Sequence, residues 1–400
     1  MNQIDPKKIL EKAAQYREET AAILSELVQI PSPSGREEAA CKKIVSLCEQ
    51  AGFDEVRIDG LGSVVARIGD GPKTLAFDAH IDTVEVGDPD GWELDPFSGL
   101  IKDGHVHGRG SADQKGGAAS MITAGRILKE LGYGADPVEY TLYFTFTVLE
   151  EDCDGMCWKY LIEEENLVPD LFVSTEPTSC RITRGQRGRM EMICRIKGVS
   201  SHGSAPERGE SAAYKTARAA LAMERLNEEL KPDKENFLGK GTIVVSQIDV
   251  HGPSQCAVPD EGMIYLDRRL TWGEDRDLAI GQVKEFMGDD VHSVEMPEYR
   301  EKGYRGTDYG QELYFPTWKL PEDHPLVQSG VEAYRRLYGK TPEVGKWTFS
   351  TNGVSVCGRH NIPTIGFGPG DENQAHSPNE KNRIQDLEIC SAFYAMLAYG

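Results

Sequence analysis

Thr74-Leu-Ala-Phe-Asp-Ala-His80-Ile-Asp82 is the stretch whose reading decides the rest of this chain. A short apolar run ends in a histidine and, two residues later, an aspartate. On a strand, side chains at i and i+2 point to the same face. The Asp82 carboxylate is then placed to accept a hydrogen bond from one imidazole nitrogen of His80 while the other nitrogen binds a metal. The pattern predicts a metallohydrolase, and it requires further ligands and a base elsewhere in the chain.

The surrounding sequence alternates strand-like and helix-like segments from Lys73 to Pro177. Thr74 to Phe77 reads as a short buried strand, Lys115 to Leu131 as a helix, and Tyr140 to Leu149 as a strongly β-prone run. Gly155 to Glu165 can form another helix and Leu171 to Ser174 a further strand. Asp113 precedes the first of these helices at an N-cap-like position. This order predicts an α/β sheet with crossover helices. Near Arg187 the pattern changes. Met190 to Val199, Thr242 to Val250, Gly262 to Leu270 and Val291 to Val294 read as strands. Ala212 to Leu230 and Leu278 to Met287 read as helices. This block predicts an α+β domain, residues 187–299, inserted into a catalytic α/β domain of residues 1–186 and 300–400. The α/β pattern returns with a helix at Pro325 to Tyr338, a strand at Ile362 to Phe367 and a helix at Ile384 to Leu397. At the other end, Met1 to Val28 reads as a charged amphipathic helix without the apolar core of a signal peptide.

Four hundred residues suit two domains rather than one core. A formal net charge of −21 argues against nucleic acid or an anionic membrane surface as partner. There is no apolar run of about 18 residues that would span a membrane. Nine cysteines without a CxxC pair argue against a disulfide framework and for free thiols in a cytoplasmic protein.

The acidic residues collect at predicted strand ends. His80 and Asp82 follow the first strand, Glu150 and Glu151 the second, and Glu176 the third, while Asp113 follows a Gly-rich turn. Any one of these alone reads as a solvated loop residue. Together they mark the carboxyl edge of an α/β sheet, where ligands bind, and four clustered carboxylates repel one another unless a cation joins them. Adjacent residues leaving a strand point in different directions, so Glu150 and Glu151 are predicted to divide the work between general base and ligand. His376, in a polar loop after the last strand, is a candidate second histidine ligand. Mixed imidazole and carboxylate ligation suits Zn²⁺, with Mn²⁺ or Co²⁺ as alternatives.

Six pieces then fall in one order: Asp78-Ala-His80-Ile-Asp82, Gly108-Arg-Gly-Ser-Ala-Asp113-Gln-Lys-Gly-Gly117, Glu150-Glu151, Ser174-Thr-Glu176-Pro-Thr178, Ser201-His202-Gly-Ser-Ala-Pro206 and His376-Ser-Pro-Asn-Glu380. In these the chain resembles the M20 metallopeptidases and amidohydrolases: glutamate-releasing carboxypeptidases, aminoacylases, succinyl-diaminopimelate desuccinylase, acetylornithine deacetylase and related dipeptidases. A subgroup linked with selenium-metabolism or purine-catabolism gene clusters has a similar overall look, which fixes no substrate. The resemblance implies a mixed-sheet catalytic domain of zinc-peptidase type with an inserted lid that commonly mediates homodimerisation. It implies two divalent ions, one held by His80 and Glu176, the other by Glu151 and His376, with Asp113 bridging. Asp82 would orient His80. Glu150 would activate the water and later protonate the leaving amine. His202 would help stabilise the oxyanion, often in the partner subunit's site. Arg269 would bind a substrate carboxylate, with Arg268 as its rival on the opposite strand face, and the Gly366–Gly370 run, Gly368 at its centre, would bring backbone amides to that carboxylate.

Two positions depart from the family pattern. Cys256 stands where many relatives have an Asn before the lid Val-Pro, and Asn352 where several have Asp. The specificity of well-known members therefore does not transfer. His105 and His107 share a strand face but lie outside the pattern, and there is no dinucleotide loop, P-loop or nucleophile elbow. The expectation is a two-metal hydrolase cleaving the amide bond of a small N-acyl amino acid or short peptide. An N-carbamoyl (ureido) amidohydrolase is the nearer rival, and a metal-binding scaffold without catalysis the more distant one.

Overall fold

The computed structural model describes residues 4–400. Part of the expected N-terminal helix, Met1 to Gln3, lies outside the described residues. The helix itself runs Pro6–Val28, with Asp5 accepting from Lys7 N as its N-cap.

An eight-stranded mixed sheet organises the larger body. Its order is Glu55–Ile58, Val64–Ile68, Tyr140–Thr147, Lys73–His80, Leu171–Ser174, Thr364–Gly366, Ile182–Thr183 and Val344–Gly345. Tyr140–Thr147, Lys73–His80, Leu171–Ser174 and Thr364–Gly366 are neighbours and mutually parallel. These central strands are buried, which explains their near-continuous apolar character. Phe77 and Phe144 stack between adjacent strands with ring centroids 5.2 Å apart, and Phe77 is fully buried.

Helices Pro6–Val28, Gly116–Glu130 and Ile384–Leu397 pack on one another beside this sheet. Lys115, at the start of the second, is buried and donates from Nζ to Leu27 O (3.0 Å) and Ile30 O (2.9 Å). It thereby satisfies carbonyls at the C-terminal end of the first helix.

The inserted lid has its own sheet, ordered Thr242–His251, Glu261–Leu270, Gly188–Lys197 and Ser293–Glu295. Tyr314–Phe315 also pairs with Gly188–Lys197, so this sheet takes in residues beyond 299. Strict alternation buries Met190, Met192, Cys194 and Ile196 on one face, where helices Ala212–Glu229 and Arg276–Met287 cover them. Arg268 points to that buried face, ion-paired with Glu274 at 2.9 Å. Arg269 points the other way.

Truncating Phe77 to Ala removes a ring from the centre of the larger sheet. The expected loss is about 3–5 kcal/mol of unfolding free energy, read by chemical denaturation against the unmutated chain.

Candidate metal centre

The four parallel strands all end at one edge, and the chemical residues leave from that edge. His80 is the last residue of its strand; Glu150 and Glu151 follow Thr147, Glu176 follows Ser174, and the loop bearing His376 follows Gly366. Asp113 arrives from the irregular turn Ser111–Lys115. It is not an N-cap: the helix starts at Gly116 behind Lys115, without a side-chain cap. The backbone N–H groups of Ala112 and Asp113 donate instead to Glu380 (2.8 and 3.0 Å), which holds the turn open. The Asp113–Gln114 peptide bond is cis.

Asp113 Oδ1 lies 3.0 Å from His80 Nε2, and its Oδ2 lies 3.5 Å from His376 Nε2. One carboxylate thus faces two imidazoles. Glu176 Oε1 is 3.7 Å from His80 Nε2, and Glu151 Oε2 is 2.8 Å from His376 Nε2. Two groups of donor atoms result, His80 with Asp113 and Glu176, and Asp113 with Glu151 and His376. Within each, the atoms lie within 4.8 Å of one another. Glu150 Oε2 stands 3.8 Å from His80 Nε2, and Glu150 Oε1 is buried with no hydrogen-bond partner. A buried carboxylate oxygen without a donor fits a site built for cations and a water.

Asp82 acts differently from the sequence expectation. The strand has ended at His80, so the i, i+2 rule no longer governs. His80 Nδ1 lies 2.9 Å from the Asp82 backbone carbonyl and 3.5 Å from its carboxylate. The carboxylate accepts from Ser34 Oγ (2.7 Å) and from the backbone N–H groups of Glu150 (3.2 Å) and Glu151 (3.0 Å). Asp82 therefore fixes His80 by its main chain and the Glu150–Glu151 turn by its side chain. With Nδ1–H donated to a carbonyl, Nε2 is the nitrogen left for a cation.

The electrostatics follow from crowding acids out of water. Burial, then the neighbouring acids, raise Glu150 and Glu176 well above the usual carboxylate range. Burial and Asp113 push Glu151 up to about 7. Burial opposes ionisation of Asp113 too, but its hydrogen bond to His80 and the two imidazoles hold it below the usual range. Burial alone would lower His80; the Glu176 and Glu150 carboxylates outweigh it and raise it well above its ordinary value.

The other expected residues divide. Arg269 lines the cleft with the ligand candidates, a cavity of about 320 Å³, and is chelated by Asp267 at 2.9 and 3.0 Å. Gly368 does not reach the cleft. Its N–H donates to Thr178 Oγ1 (2.9 Å), and a Cβ there would strike Thr175 O, so its role is close packing of two loops rather than substrate binding. His202 is exposed on the lid, its Nδ1 accepting from Ser204, and is absent from this chain's cleft. Cys256 lies beside it, its carbonyl accepting from Gly203 N. Asn352 is buried behind the site, bonded to Asp78 (2.8 Å), Thr147 (3.2 Å) and Gly155 N (2.9 Å), and is a brace. His105 and His107 bond to backbone carbonyls of their own hairpin.

Three residues carry roles that sequence reasoning missed. Glu380, fully buried, pairs with Arg109 (2.7 Å) while holding the Asp113 turn. Its place four residues after His376 was the available signal. Asp154 and Arg189 line the cleft; Arg189 is the direct cross-strand partner of Arg269, legible only once the register is known.

Fold and site define a metal-dependent amide hydrolase with an inserted lid. Residues 76–399 match peptidase family M20/M25/M40, and the chain belongs to that family. It is 48% identical to YgeY of Escherichia coli (strain K12) over 98% of this chain and 96% of that protein. Its fold is similar to that of aminopeptidase PepT from Bacillus cereus (TM-score 0.73, 23% identity, 96% and 98% of the two chains). It is also similar to that of YXEP from Bacillus subtilis, described as a dinuclear metal binding peptidase (TM-score 0.71, 16% identity, 96% and 98%).

A divalent cation entering this cluster would compete with protons on Glu150, Glu151 and Glu176. Zn²⁺ binding at pH 7 is expected to release protons, and affinity to rise as pH rises through about 7, where Glu151 titrates. Calorimetry in two buffers of different ionisation enthalpy measures this; a buffer-independent heat contradicts it.

Proposed function

We propose that this chain hydrolyses the amide bond of a small N-acyl amino acid or short peptide, using two divalent ions, Zn²⁺ foremost. The observation that carries the reading is the double-faced Asp113, one oxygen toward His80 and the other toward His376. His80, Asp113 and Glu176 would hold one ion, and Asp113, Glu151 and His376 the other. Two nitrogens and three carboxylates suit Zn²⁺, with Mn²⁺ or Co²⁺ as alternatives. The dinuclear description of the similar Bacillus subtilis protein supports two ions rather than one.

Bound there, the ions would polarise an amide carbonyl and acidify a water. Glu150, unpaired at Oε1 and raised in pKa by burial, would take a proton from the attacking water and return it to the leaving nitrogen. Asp82 keeps the Glu150 backbone in register, and Arg269 anchors a substrate carboxylate from the lid. The cleft volume of about 320 Å³ suits a small substrate.

His202 serves the site of a second copy in this reading. The lid's outer strand, Thr242–His251, is an unpaired edge bearing Val244 (58% exposed) and Ile248 (50% exposed). An apolar sheet edge favours pairing with another chain, which supports a homodimer through the lid. All nine cysteines are free thiols, which fits the cytoplasm. Among the described residues, no helix is long and apolar enough to cross a membrane.

Glu150→Gln is expected to keep both ions and lose at least about 10³-fold in turnover, read by metal analysis beside mass-spectrometric screening of Zn²⁺- and Mn²⁺-loaded protein against N-acyl amino acids and short peptides. No hydrolysis by the unmutated enzyme across that panel removes the proposal. In sedimentation, the doubly substituted Val244→Asp, Ile248→Asp chain is expected to run as a monomer and the unmutated chain as a dimer.

A further inference from the structure

Two strand exits, His80–Asp82 and Leu149–Glu151, carry ligand candidates to the cleft, and one short segment behind them touches both. Ser32 Oγ donates to Ile81 O (2.7 Å), and Thr83 N donates back to Ser32 O (3.0 Å). Ser34 Oγ donates to the Asp82 carboxylate (2.7 Å). Glu37, at the end of the segment and just before helix Glu38–Gln50, is fully buried. Its Oε1 accepts from Gly35 N (2.9 Å) within the segment and from Leu149 N (3.2 Å) at the second exit.

Leu149 immediately precedes Glu150, at a bend in the chain, and has φ +62°. A leucine rarely adopts this left-handed conformation, because its Cβ crowds the backbone, and keeps it only where the surroundings impose it. The imposition is visible here. The conformation of one residue is the angle between the peptide planes on either side of it. The plane before Leu149 carries the Leu149 N–H, which Glu37 holds; the plane after it carries the Glu150 N–H, which Asp82 holds. Asp82 also takes the N–H of Glu151. Three successive amides are thus divided between two buried acids, and Asp82 alone grips only one side of Leu149. Burial, then the Asp82 charge, raise Glu37 above the usual carboxylate range. Its bond to Leu149 therefore needs an oxygen in place rather than a negative charge.

We infer that Glu37 is a positioning residue that, through the backbone of Leu149, sets the directions in which Glu150 and Glu151 enter the cleft. This rests on the amide-hydrolase reading above and adds a residue to the same site. With the Leu149 N–H released, φ relaxes toward negative values. The base and the ligand that follow are then turned away together.

The test compares two substitutions. Glu37→Asp keeps the acid but withdraws its oxygen by one carbon–carbon bond of about 1.5 Å. Glu37→Gln keeps the reach and the acceptor oxygen but discards the acid. Zn²⁺ affinity is measured by competition with a chromogenic chelator, and kcat and KM on the panel compound that the unmutated enzyme hydrolyses, at a temperature where denaturation curves show each chain fully folded. Glu37→Asp is expected to lose at least about 10-fold in Zn²⁺ affinity, in kcat, or in both, and Glu37→Gln to restore what is lost. A role confined to stability would lower the unfolding free energy and move neither quantity. Leu149→Val leaves Glu37 in place but resists a positive φ, being β-branched; it should bring the same losses, and it decides the matter if Glu37→Asp does not fold. Unchanged Zn²⁺ affinity and kcat in folded Glu37→Asp or Leu149→Val, or a Glu37→Gln chain as impaired as Glu37→Asp, overturns the inference. If the unmutated enzyme hydrolyses nothing in the panel, the proposed function fails, while Zn²⁺ affinity still decides the role of Glu37.

Discussion

Mutual repulsion among buried carboxylates is the constraint on which the rest of this structure depends. Asp113, Glu150, Glu151 and Glu176 meet at one sheet edge with two imidazoles, largely out of water. Such a cluster is costly unless positive charge enters it. The chain therefore spends many interactions on keeping these groups together. Asp82 grips the Glu150–Glu151 turn, Glu380 grips the Asp113 turn, and Asn352 braces the strand ends through Asp78 and Thr147. None of the three is in the cleft itself, yet each sets where a ligand candidate stands.

The parallel strands make this economical. Their shared direction delivers His80, Glu150–Glu151, Glu176 and the His376 loop to one edge without any long excursion. The lid contributes a different chemistry from the opposite wall. Its sheet turns apolar side chains toward its helices and arginines toward the cleft, so one strand pair supplies both a core and a recognition surface. Arg268 and Arg269 show the division within two residues: one neutralised in the core by Glu274, the next presented to the cleft.

Much of this was legible in the sequence, for identifiable reasons. The long periodic helices and the central strands follow from apolar spacing, and the ligand candidates follow from acids and histidines at strand ends. The helix Glu38–Gln50 and the strands Glu55–Ile58 and Val64–Ile68 were missed, being a short amphipathic segment, a half-exposed edge strand and a buried run of only five residues beside it. Asp113 was misplaced at a helix cap because its true constraint, Glu380, lies 267 residues away. Gly368 looked available because sequence shows an amide but not the Thr178 hydroxyl that takes it. The Asp82 carboxylate was assigned to His80 because the strand was assumed to continue two residues too far. The placing of Arg189 beside Arg269 required the strand register and could not be read from spacing at all.

The Glu380 contact also bears on how the molecule is made. Asp113 and its partner loop are separated by the whole inserted lid, with Glu380 267 residues further along the chain. On the ribosome, domains fold as they emerge. The lid, closed by its own local strand pairs and helices, has everything it needs well before that point. The cluster at the sheet edge does not, since its turn at Asp113 is unlatched until the segment bearing Glu380 has emerged. A chain in which the lid has emerged but Glu380 has not would therefore carry a folded lid beside an unlatched Asp113 turn.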